Sequence, residues 1–437
     1  MARTTFKGGI HPRYFRELTR DKSIKEAKLP DKVIIPLSQH AGAPAEPTVK
    51  VGDEVKAGTE IGKSDKFISS LVHSSLSGKV VAIEKHPHPV LGSAQAIVIE
   101  GDGKDEREEF TPRDPEGVTP EEARKIIARA GIVGLGGAAF PTHVKLTPPE
   151  GKEIDTFILN GAECEPYLTG DYRIMVEKTN EVVQGLKIIM RTLGVKQVYV
   201  GIEKDKAEAI ASLREALRGE EGVEVVPLEV RYPQGAEKQL LKTLLNREVP
   251  IGGLPLDVGC VVNNVGTALA IYEAIGLGKP LYERVVTVTG RVVNDPVNLR
   301  ARIGTPISNL IEECGGFRGE VGKVIIGGPM MGLAQHSLDT PVTKGTSGIL
   351  CLGEKEVALK EETPCIRCAR CVDACPMNLL PTEIRKEVRA RRWERLSEYN
   401  ILNCMECGCC QYVCPADIPL VHLFKVGKSE LRRIKRS

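Results

Sequence analysis

Two stretches near the start of the chain alternate hydrophobic and polar residues with a period of two. These stretches, VKVGDEVKAGTEIG and LVHSSLSGKVVAIE, are interrupted by Gly–Asp and Ala–Gly turns. A period of two places successive side chains on opposite faces of an extended strand, so each strand can bury one face and expose the other. The pattern predicts a small β-sandwich or barrel over residues 30–102, preceded by an N-terminal extension at residues 1–29.

From residue 119 onward, helical periods alternate with short apolar runs. Thr119 can cap a helix that has Pro120 at its first position, and Glu122 completes a capping box. Helices that alternate with strands predict an α/β domain with a mostly parallel sheet over residues 118–280, after a charged linker at residues 103–117. The predicted strands are Ile154–Asn160, Gln197–Ile202 and Val223–Val230, and the predicted helices are Asn180–Leu193, Lys206–Arg218, Ala236–Leu245 and Thr267–Ile275.

Two further modules follow the α/β domain. In residues 281–345, RVVTVTGRVV predicts a strand pair, Pro306–Cys314 a helix and KVIIGG a strand, which together favour a β-grasp-like unit. Residues 346–437 are cysteine-rich, and the segment that begins at Pro381 has helical spacing. The predicted fold class is therefore multidomain α/β: a β-sandwich module, an α/β domain, a β-grasp module and a largely helical cysteine-rich domain.

Composition excludes several classes of function. Sixty Lys and Arg residues against 58 Asp and Glu residues give a net charge of +2, which argues against a nucleic-acid partner held by bulk charge. The longest apolar stretch, Val258 to Gly278, contains Asn263, Asn264 and Glu273, so it cannot cross a bilayer as one helix. The N-terminus has no secretory signal, so the 13 cysteines point to metal ligands in a reducing compartment.

Eight of the cysteines form two runs with the same spacing. Both runs read C-x2-C-x2-C-x3-C-P, and each starts with three cysteines at intervals of three residues. In two-cluster ferredoxins with this run, the fourth cysteine binds the other cluster. We therefore predict two [4Fe–4S] clusters, the first held by Cys365, Cys368, Cys371 and Cys414 and the second by Cys404, Cys407, Cys410 and Cys375.

A pair of zinc sites is the alternative for these cysteines, although structural zinc usually takes two cysteine pairs separated by a longer loop. Cys409 falls outside both sets, and we expect a spare thiol packed near a cluster. The arginine-rich helix between the runs predicts either a solvated surface or a docking face for an acidic electron carrier. The basic C-terminal tail, KVGKSELRRIKRS, predicts contact with anionic lipid or a partner, or else a frayed end.

Glycine-rich turns in the α/β domain let the backbone approach a phosphate or a flat ring. One turn is GIVGLGGAAFP, and VVNNVGT forms another. Taken alone these turns are weak signals, because glycine-containing loops are more often plain connections and the spacing is not the dinucleotide fingerprint G-x-G-x-x-G.

The order of four short motifs carries a family resemblance. GLGGAAFPTHVK, NGAECEP, PQGAEK and NNVGT resemble the flavin- and NADH-binding segments of the respiratory complex I flavoprotein subunit. The N-terminal module resembles the lipoyl/biotinyl carrier fold, with Lys66 near the position of the modified lysine, although an ordinary surface lysine is the better interpretation. Residues 281–345 resemble the soluble-ligand-binding β-grasp domain of complex I. From Phe6 onward the whole chain resembles the RnfC family of the Rnf complex, which couples electron transfer between ferredoxin and NAD+ to ion movement across a membrane.

The resemblance implies FMN as a cofactor, NAD(H) as a substrate and a set of site residues. It implies catalytic roles for Glu163, Glu165 and Phe140, with the Phe140 ring stacked near the nicotinamide or the adenine. It implies that FMN and NADH lie along a cleft formed by Gly134, Gly136, Gly137, Phe140, Lys145, Asn160, Glu163, Glu165, Gly235, Glu237, Asn263, Asn264 and Thr267.

The expected function is electron transfer between NAD(H), FMN and two [4Fe–4S] clusters in an NAD-dependent oxidoreductase and translocase. The resemblance implies partner subunits in a membrane-bound Rnf complex, including a ferredoxin-like cluster subunit. Membrane contact would be indirect, at the cytoplasmic face, without a nucleic-acid partner. The alternatives are a cobalamin reductase of the propanediol-degradation type and a non-catalytic cluster-wiring subunit.

Overall fold

The computed structural model describes residues 4–357 and 361–435. Residues 1–3 of the expected N-terminal extension, and residues 358–360 and 436–437 of the expected cluster domain, lie outside the described residues. Within these two ranges, no helix combines the length and apolar character needed to cross a membrane.

The N-terminal module consists of two facing antiparallel sheets. One sheet has the strand order β2-β8-β7-β4 and the other the order β3-β5-β6. Alternate residues such as Val33, Ile35, Ile97 and Ile99 are fully buried between the sheets, as the period-two pattern predicts. The strands are β2 (Lys32–Pro36), β3 (Glu46–Pro47), β4 (Glu54–Val55), β5 (Glu60–Lys63), β6 (Val72–His73), β7 (Gly78–His88) and β8 (Gly92–Gly101), and β1 (Lys25–Glu26) precedes them.

The α/β domain is built on four parallel strands in the order β11-β10-β9-β12. The predicted capping box is present, since the Thr119 hydroxyl accepts a hydrogen bond from the Glu122 amide and the Glu122 side chain accepts one from the Thr119 amide. The strands are β9 (Thr156–Asn160), β10 (Gln197–Glu203), β11 (Val223–Leu228) and β12 (Cys260–Asn264), and the helices are α1 (Pro120–Arg129), α2 (Thr142–Lys145), α3 (Gly170–Glu177), α4 (Thr179–Leu193), α5 (Ala207–Ala216), α6 (Glu237–Leu245) and α7 (Val265–Gly276).

This strand order contains a topological switch point. The chain proceeds outward from β9 through β10 to β11 and then returns to place β12 on the other side of β9. In open α/β sheets, ligands bind in the crevice at the carboxyl ends of the strands where the order reverses. Asn160 and Asn264, the last residues of β9 and β12, are register partners at this crevice.

The β-grasp module extends beyond the boundary expected at residue 345. Its sheet has the order β1-β14-β13-β17-β15-β16, and β17 pairs with both β13 and β15. The strand β1 of the N-terminal segment pairs with β14, so this segment is part of the sheet. The partner of β13 is β14 and not Arg291–Val293, which lie in a turn after Gly290. The elements are β13 (Glu283–Thr289), β14 (Val297–Arg302), α8 (Ile307–Glu313), β15 (Val321–Ile326), β16 (Leu333–Ala334) and β17 (Gly348–Gly353).

The cysteine-rich domain repeats a short helix followed by a longer one. Its helices are α9 (Arg370–Asp373), α10 (Pro381–Arg389), α11 (Cys409–Tyr412) and α12 (Leu420–Ile434). Residues 425–434 of the basic tail belong to α12, which buries Leu420, Phe424 and Leu431 at helical spacing. Lys428 on the same helix donates to the Cys404 carbonyl (2.9 Å) and also pairs with Glu406, so α12 braces the second cysteine run.

A buried lysine joins three modules. The Nζ of Lys344, which precedes β17, donates to the Leu71 carbonyl in the barrel (2.5 Å) and to the Gly131 carbonyl after α1 (2.7 Å). Burial lowers the pKa of Lys344 to about 7. His73 of the barrel is buried beside it, and burial followed by the nearby Lys344 charge lowers the pKa of His73 to about 3. This junction therefore favours uncharged side chains.

We expect acid to weaken the junction through His73. Between pH 6.5 and pH 3 the unfolded chain binds a proton at this residue and the folded chain does not, so acidification favours unfolding. The contribution of His73 to the change in unfolding free energy between pH 7.5 and pH 5 should be a loss of about 2 kcal/mol. Denaturant unfolding of the unaltered chain and of His73→Gln at both pH values would isolate it. The stability change on acidification should be about 2 kcal/mol more favourable in His73→Gln than in the unaltered chain, and the same change at the exposed His336 should not produce this difference.

Candidate functional site

The glycine-rich loop lies against the amino end of α7 at the switch point. The Leu135 amide donates to the Thr267 hydroxyl (3.0 Å), and the Gly134 amide donates to the Phe140 carbonyl (2.9 Å) and closes the loop. Gly136 and Gly137 are exposed, and the space beside Gly137 is open. The loop therefore presents bare backbone to the crevice, with the Phe140 side chain half-buried at its end.

The amino end of α7 presents polar groups to the same crevice. Asn264 caps the helix, since its side-chain oxygen accepts from the Gly266 amide (2.8 Å). The Nδ2 of Asn263 is buried and has no hydrogen-bond partner among residues 4–357 and 361–435. A buried donor without an acceptor is costly, so a ligand that accepts a hydrogen bond here would be stabilised. The helix terminus also favours a negatively charged group. These features fit a flavin that carries a phosphate.

Lys145 and the segment around Gly235 form another wall of the cleft. The Lys145 Nζ donates to Glu237 (2.7 Å) and to the Val262 carbonyl (2.6 Å), which places a cation beside the end of β12. The Asn160 side-chain amide donates to the Gly235 carbonyl (2.8 Å). A Cβ atom on Gly235 would lie 2.2 Å from the Ala162 carbonyl oxygen, so only glycine permits this approach.

Glu163 is buried and directed at the start of α3. Its two carboxylate oxygens accept from the Asp171 amide (2.9 Å) and the Tyr172 amide (3.2 Å). Its carbonyl oxygen accepts from Arg16 (2.5 Å) and Lys206 (3.3 Å). Burial raises the pKa of Glu163 to about 7. The structure thus gives Glu163 a helix-capping contact in addition to its place beside the cleft.

Glu165 connects the α/β domain to the β-grasp module. Its carboxylate accepts from the Met330 amide (3.1 Å) and the Met331 amide (2.9 Å), which lie in the GGPMMG turn between β15 and β16. The Tyr232 hydroxyl lies 3.5 Å from the same carboxylate. Burial raises the pKa of Glu165 to about 7. No local pattern indicated this partnership, because the turn lies 165 residues away from Glu165 along the chain.

A second network beneath the cleft also escaped prediction. The Asn264 side-chain amide donates to the half-buried Asp171 carboxylate (2.6 Å). The buried Arg284 of the β-grasp module donates to the Lys344 carbonyl and to the Leu135 carbonyl (3.4 Å). These groups fix the glycine-rich loop and the α7 cap relative to each other. They come from different modules, so only the tertiary fold identifies them.

The predicted first set of cysteines lines one cavity. The cavity opens to solvent and has a largely apolar wall. Cys365, Cys368, Cys371 and Cys414 all line this cavity, so the structure brings the fourth cysteine of the second run to the first three of the first run. The lining residues are Cys365, Ile366, Cys368, Ala369, Cys371, Thr382, Arg385, Cys414, Pro415, Ala416, Ile418 and Leu420.

The predicted second set also lies together. Burial, followed by the nearby Cys407, Cys404 and Cys375 thiols, raises the pKa of Cys410. Backbone amides donate to two of the sulfurs, Leu379 to Cys375 (3.4 Å) and Glu406 to Cys404 (3.4 Å). Such hydrogen bonds tune the potential of an iron–sulfur cluster. Burial raises the pKa of Cys404 to about 11, so iron binding would have to displace the thiol proton.

Within the described ranges, no three His, Cys, Asp or Glu side chains converge closely enough to hold a single metal ion. Ligands of a cubane do not need to converge on one ion, because each thiolate binds a different iron. All four thiols of the first set line the same cavity, as the corners of one cluster require. Zinc would instead require four ligands at about 2.0–2.3 Å from one centre.

The second set of cysteines adjoins the flavin-side loops. Tyr232, Cys164, Cys407 and Cys409 share one small apolar core. The fully buried Cys409 thiol lies 3.9 Å from the Tyr232 carbonyl oxygen, and its hydrogen bond with Cys407 lowers the pKa of Cys407. Cys409 is thus packed next to a predicted ligand, at the contact between the cysteine-rich domain and the segment that leads to Gly235.

Four family models match the chain in the order of its modules. They are the RnfC barrel sandwich hybrid domain at residues 4–104, the Nuo51 FMN-binding domain at 127–273, the SLBB domain at 285–334 and the 4Fe-4S dicluster domain at 364–418. These matches confirm the fold class expected from the sequence. They also confirm the expected cofactors, FMN and two [4Fe–4S] clusters.

Several known proteins are similar over nearly the whole chain. The component designated C in the proton-translocating ferredoxin:NAD(+) oxidoreductase complex of Clostridium ljungdahlii is 51% identical, over 98% of this chain and 94% of its own length. The corresponding component of the Na(+)-translocating ferredoxin:NAD(+) oxidoreductase complex of Acetobacterium woodii is 46% identical, over 98% of this chain and 97% of its own length. The corresponding component of the ion-translocating oxidoreductase complex of Rhodobacter capsulatus is 42% identical, over 98% of this chain and 83% of its own length.

Double cysteine variants test which thiols share a cluster. In the anaerobically reconstituted chain, Cys375→Ser with Cys404→Ser should remove one cluster and leave about four iron atoms of about eight. Cys375→Ser with Cys365→Ser should remove both clusters, because these residues belong to different sets. The buried Cys314 of the β-grasp module provides the control, and its change to serine should keep about eight. If Cys375→Ser with Cys404→Ser removed both clusters and Cys375→Ser with Cys365→Ser removed only one, each run would hold its own cluster. That result would contradict the exchange of fourth ligands between the runs.

Proposed function

We propose that this chain, which belongs to the RnfC family of ion-translocating ferredoxin:NAD(+) oxidoreductase (Rnf) complexes, transfers electrons between NAD(H), FMN and two [4Fe–4S] clusters. Near-complete alignment with relatives from such complexes supports the assignment. The observation that carries it is the presence of a flavin-type cleft and two four-cysteine sets in one chain, with the second set against the segment that leads to the cleft.

FMN would accept the two electrons of a hydride, and each cluster would carry one electron. The chain's own residues would hold FMN at the switch point. The amide of Asn263 would donate to the flavin, and the amino end of α7 would face its phosphate. The exposed backbone at Gly136 and Gly137 would let the ring lie close to the loop. Thr267 and Asn264 hold these elements in place.

NADH would enter the same cleft on the side of Lys145 and Glu237. The Lys145 ammonium would attract the pyrophosphate, and the Glu237 carboxylate would accept hydrogen bonds from ribose hydroxyls on the adenosine side, next to Gly235. The Phe140 ring would stack on the nicotinamide or the adenine. Glu163 and Glu165 would shape the nicotinamide end through the loop that they anchor to α3 and to the GGPMMG turn.

The two clusters would have different positions in the electron path. The second cysteine set lies against Tyr232 and the loop of Glu165, so it would exchange electrons with the flavin. The first set lies at the outer end of the domain, where Cys368 is exposed and Ile366 is 69% exposed. That surface would contact the electron carrier of a partner, and we expect this partner to be a ferredoxin-like cluster subunit.

The chain would work as a peripheral part of a larger assembly. The relatives' names describe subunits of ion-translocating complexes, and translocation requires partners that cross the membrane. We place this subunit at the cytoplasmic face, where NADH is present, with indirect membrane contact. The same arrangement supports NAD-dependent oxidoreductase activity of the complex as a whole.

The test uses the full chain after anaerobic reconstitution. It should contain one FMN and about eight iron atoms, and NADH should bleach the flavin absorbance before the cluster absorbance. Iron without flavin bleaching would instead support the cluster-wiring alternative. Rapid NADH-dependent reduction of cob(II)alamin, with no electron transfer to ferredoxin in the presence of the partner subunits, would support the cobalamin-reductase alternative.

We expect Asn263→Ala to weaken FMN binding about tenfold, because it removes one buried hydrogen-bond donor, a contribution of roughly 1–2 kcal/mol. The melting temperature of the FMN-free protein should change little, since the Nδ2 atom has no acceptor in the part of the chain that the structure describes. Fluorescence titration with FMN measures the affinity. Asn309→Ala, at an exposed position on α8, is the control. Equal FMN affinity in both variants would contradict the assigned role of Asn263.

A further inference from the structure

The N-terminal segment of the chain is a strap that lies between the flavin domain and the cluster domain. We define the strap as residues 4–19. The Thr4 carbonyl accepts from the Glu229 amide (2.9 Å), and Ile10 exchanges two backbone hydrogen bonds with Tyr232 (both 2.9 Å). Phe6 is buried, and its carbonyl accepts from Arg231 (2.9 Å). The strap therefore runs beside the segment that leads into the cleft wall at Gly235.

The other side of the strap touches the loop that carries a cluster ligand. The Gly9 amide donates to the Ala374 carbonyl (2.9 Å), directly before Cys375. At Gly8 the φ angle is +83°, and an added Cβ atom would lie 2.7 Å from the Cys375 carbonyl oxygen and 3.1 Å from the Pro376 Cα. Only glycine permits both this conformation and this approach. The strap thus meets the Cys375 loop backbone to backbone.

The far end of the strap is fixed by strong contacts. The Phe15 ring stacks on Tyr167 with 4.6 Å between centroids. The buried Arg16 pairs with Glu203 (3.0 Å) and Asp205 (2.6 Å). Because a buried ion pair resists separation of its partners, these contacts fix the far end of the strap and limit the movement of Gly8 and Gly9.

We propose that the strap is a positioning element that holds the Cys375 loop, and with it the second cluster, at a fixed place against Tyr232. This inference rests on the proposed function, because it assigns Gly8 and Gly9 a role in the geometry between the flavin cleft and that cluster. A strap with a merely stabilising role would affect the folding of the chain but not the properties of one cluster relative to the other.

The strap can be disturbed at Gly8 with a matched control. Gly8→Ala adds one methyl group against the Cys375 carbonyl. Gly194→Ala adds the same group at a similar φ angle (+70°) after α4, where nothing lies within 4 Å. Both variants carry the same kind of backbone strain, and only the first disturbs the cluster loop. All measurements use the full reconstituted chain.

We expect amide exchange at Gly9 and Ile10 to accelerate about tenfold or more in Gly8→Ala, since their acceptors are the Ala374 and Tyr232 carbonyls. After reduction with dithionite, the electron paramagnetic resonance signal of one cluster should change and that of the other should not. After mixing with NADH, flavin reduction should keep its rate, whereas cluster reduction should slow about tenfold. Gly194→Ala should match the unaltered chain in all three measurements.

Faster exchange in the strap with unchanged signals from both clusters and an unchanged rate of cluster reduction would overturn the proposal. If Gly8→Ala fails to fold, Arg231→Met provides the test, because it removes the donor to the Phe6 carbonyl without adding a group at the cluster loop. In this variant too, a changed signal of one cluster with slower cluster reduction would support the proposal, and unchanged signals with an unchanged rate would overturn it. A failure of the proposed function would be distinguishable from a failure of this proposal. In that case the unaltered chain would show no NADH-dependent flavin reduction, while the dithionite and exchange measurements would still report on the strap.

Discussion

A short stretch of backbone, from Tyr232 to Gly235, touches both redox sites of this chain. Its amino end lies against Cys409 and the second cysteine set, and its carboxyl end approaches Ala162 so closely that only glycine fits. This constraint explains the arrangement of the other modules. A hydride delivers two electrons and a cluster accepts one, so the flavin cleft and the nearer cluster must keep a fixed relation. The Tyr232–Gly235 segment, which contacts both the cleft and the nearer cysteine set, provides this fixed relation.

Buried polar contacts join the modules around this segment. Glu165 reaches the amides of the β-grasp turn, Lys344 reaches the carbonyls of two other modules, and Arg16 joins the strap to β10 and the residues after it. A buried charged group is costly when its partner is missing, so each contact favours one relative position of the modules. The raised pKa values of Glu163 and Glu165 have the same origin, since both carboxylates are desolvated where modules meet.

Local patterns in the sequence predicted much of the fold. Cysteine spacing predicted that Cys365, Cys368, Cys371 and Cys414 lie together, and these four residues line one cavity, while the assignment of each thiol to a cluster stays a prediction. The Thr119 capping box predicted the start of α1. Local patterns could not predict the orientations of Glu163 and Glu165, since the amides that they bind come from α3 and from a turn in another module. They also missed β12, because its five residues run without a break into α7 and lack the turn that usually separates a strand from a helix.

The most direct test of this account is a crystal structure of the reconstituted chain with anomalous diffraction at the iron edge. The account predicts two separate groups of iron atoms. One group should lie between Cys375, Cys404, Cys407 and Cys410 on the Tyr232 side, with flavin density between the glycine-rich loop and Asn263. Iron atoms bound within each cysteine run alone, or flavin density remote from the Tyr232–Gly235 segment, would contradict it.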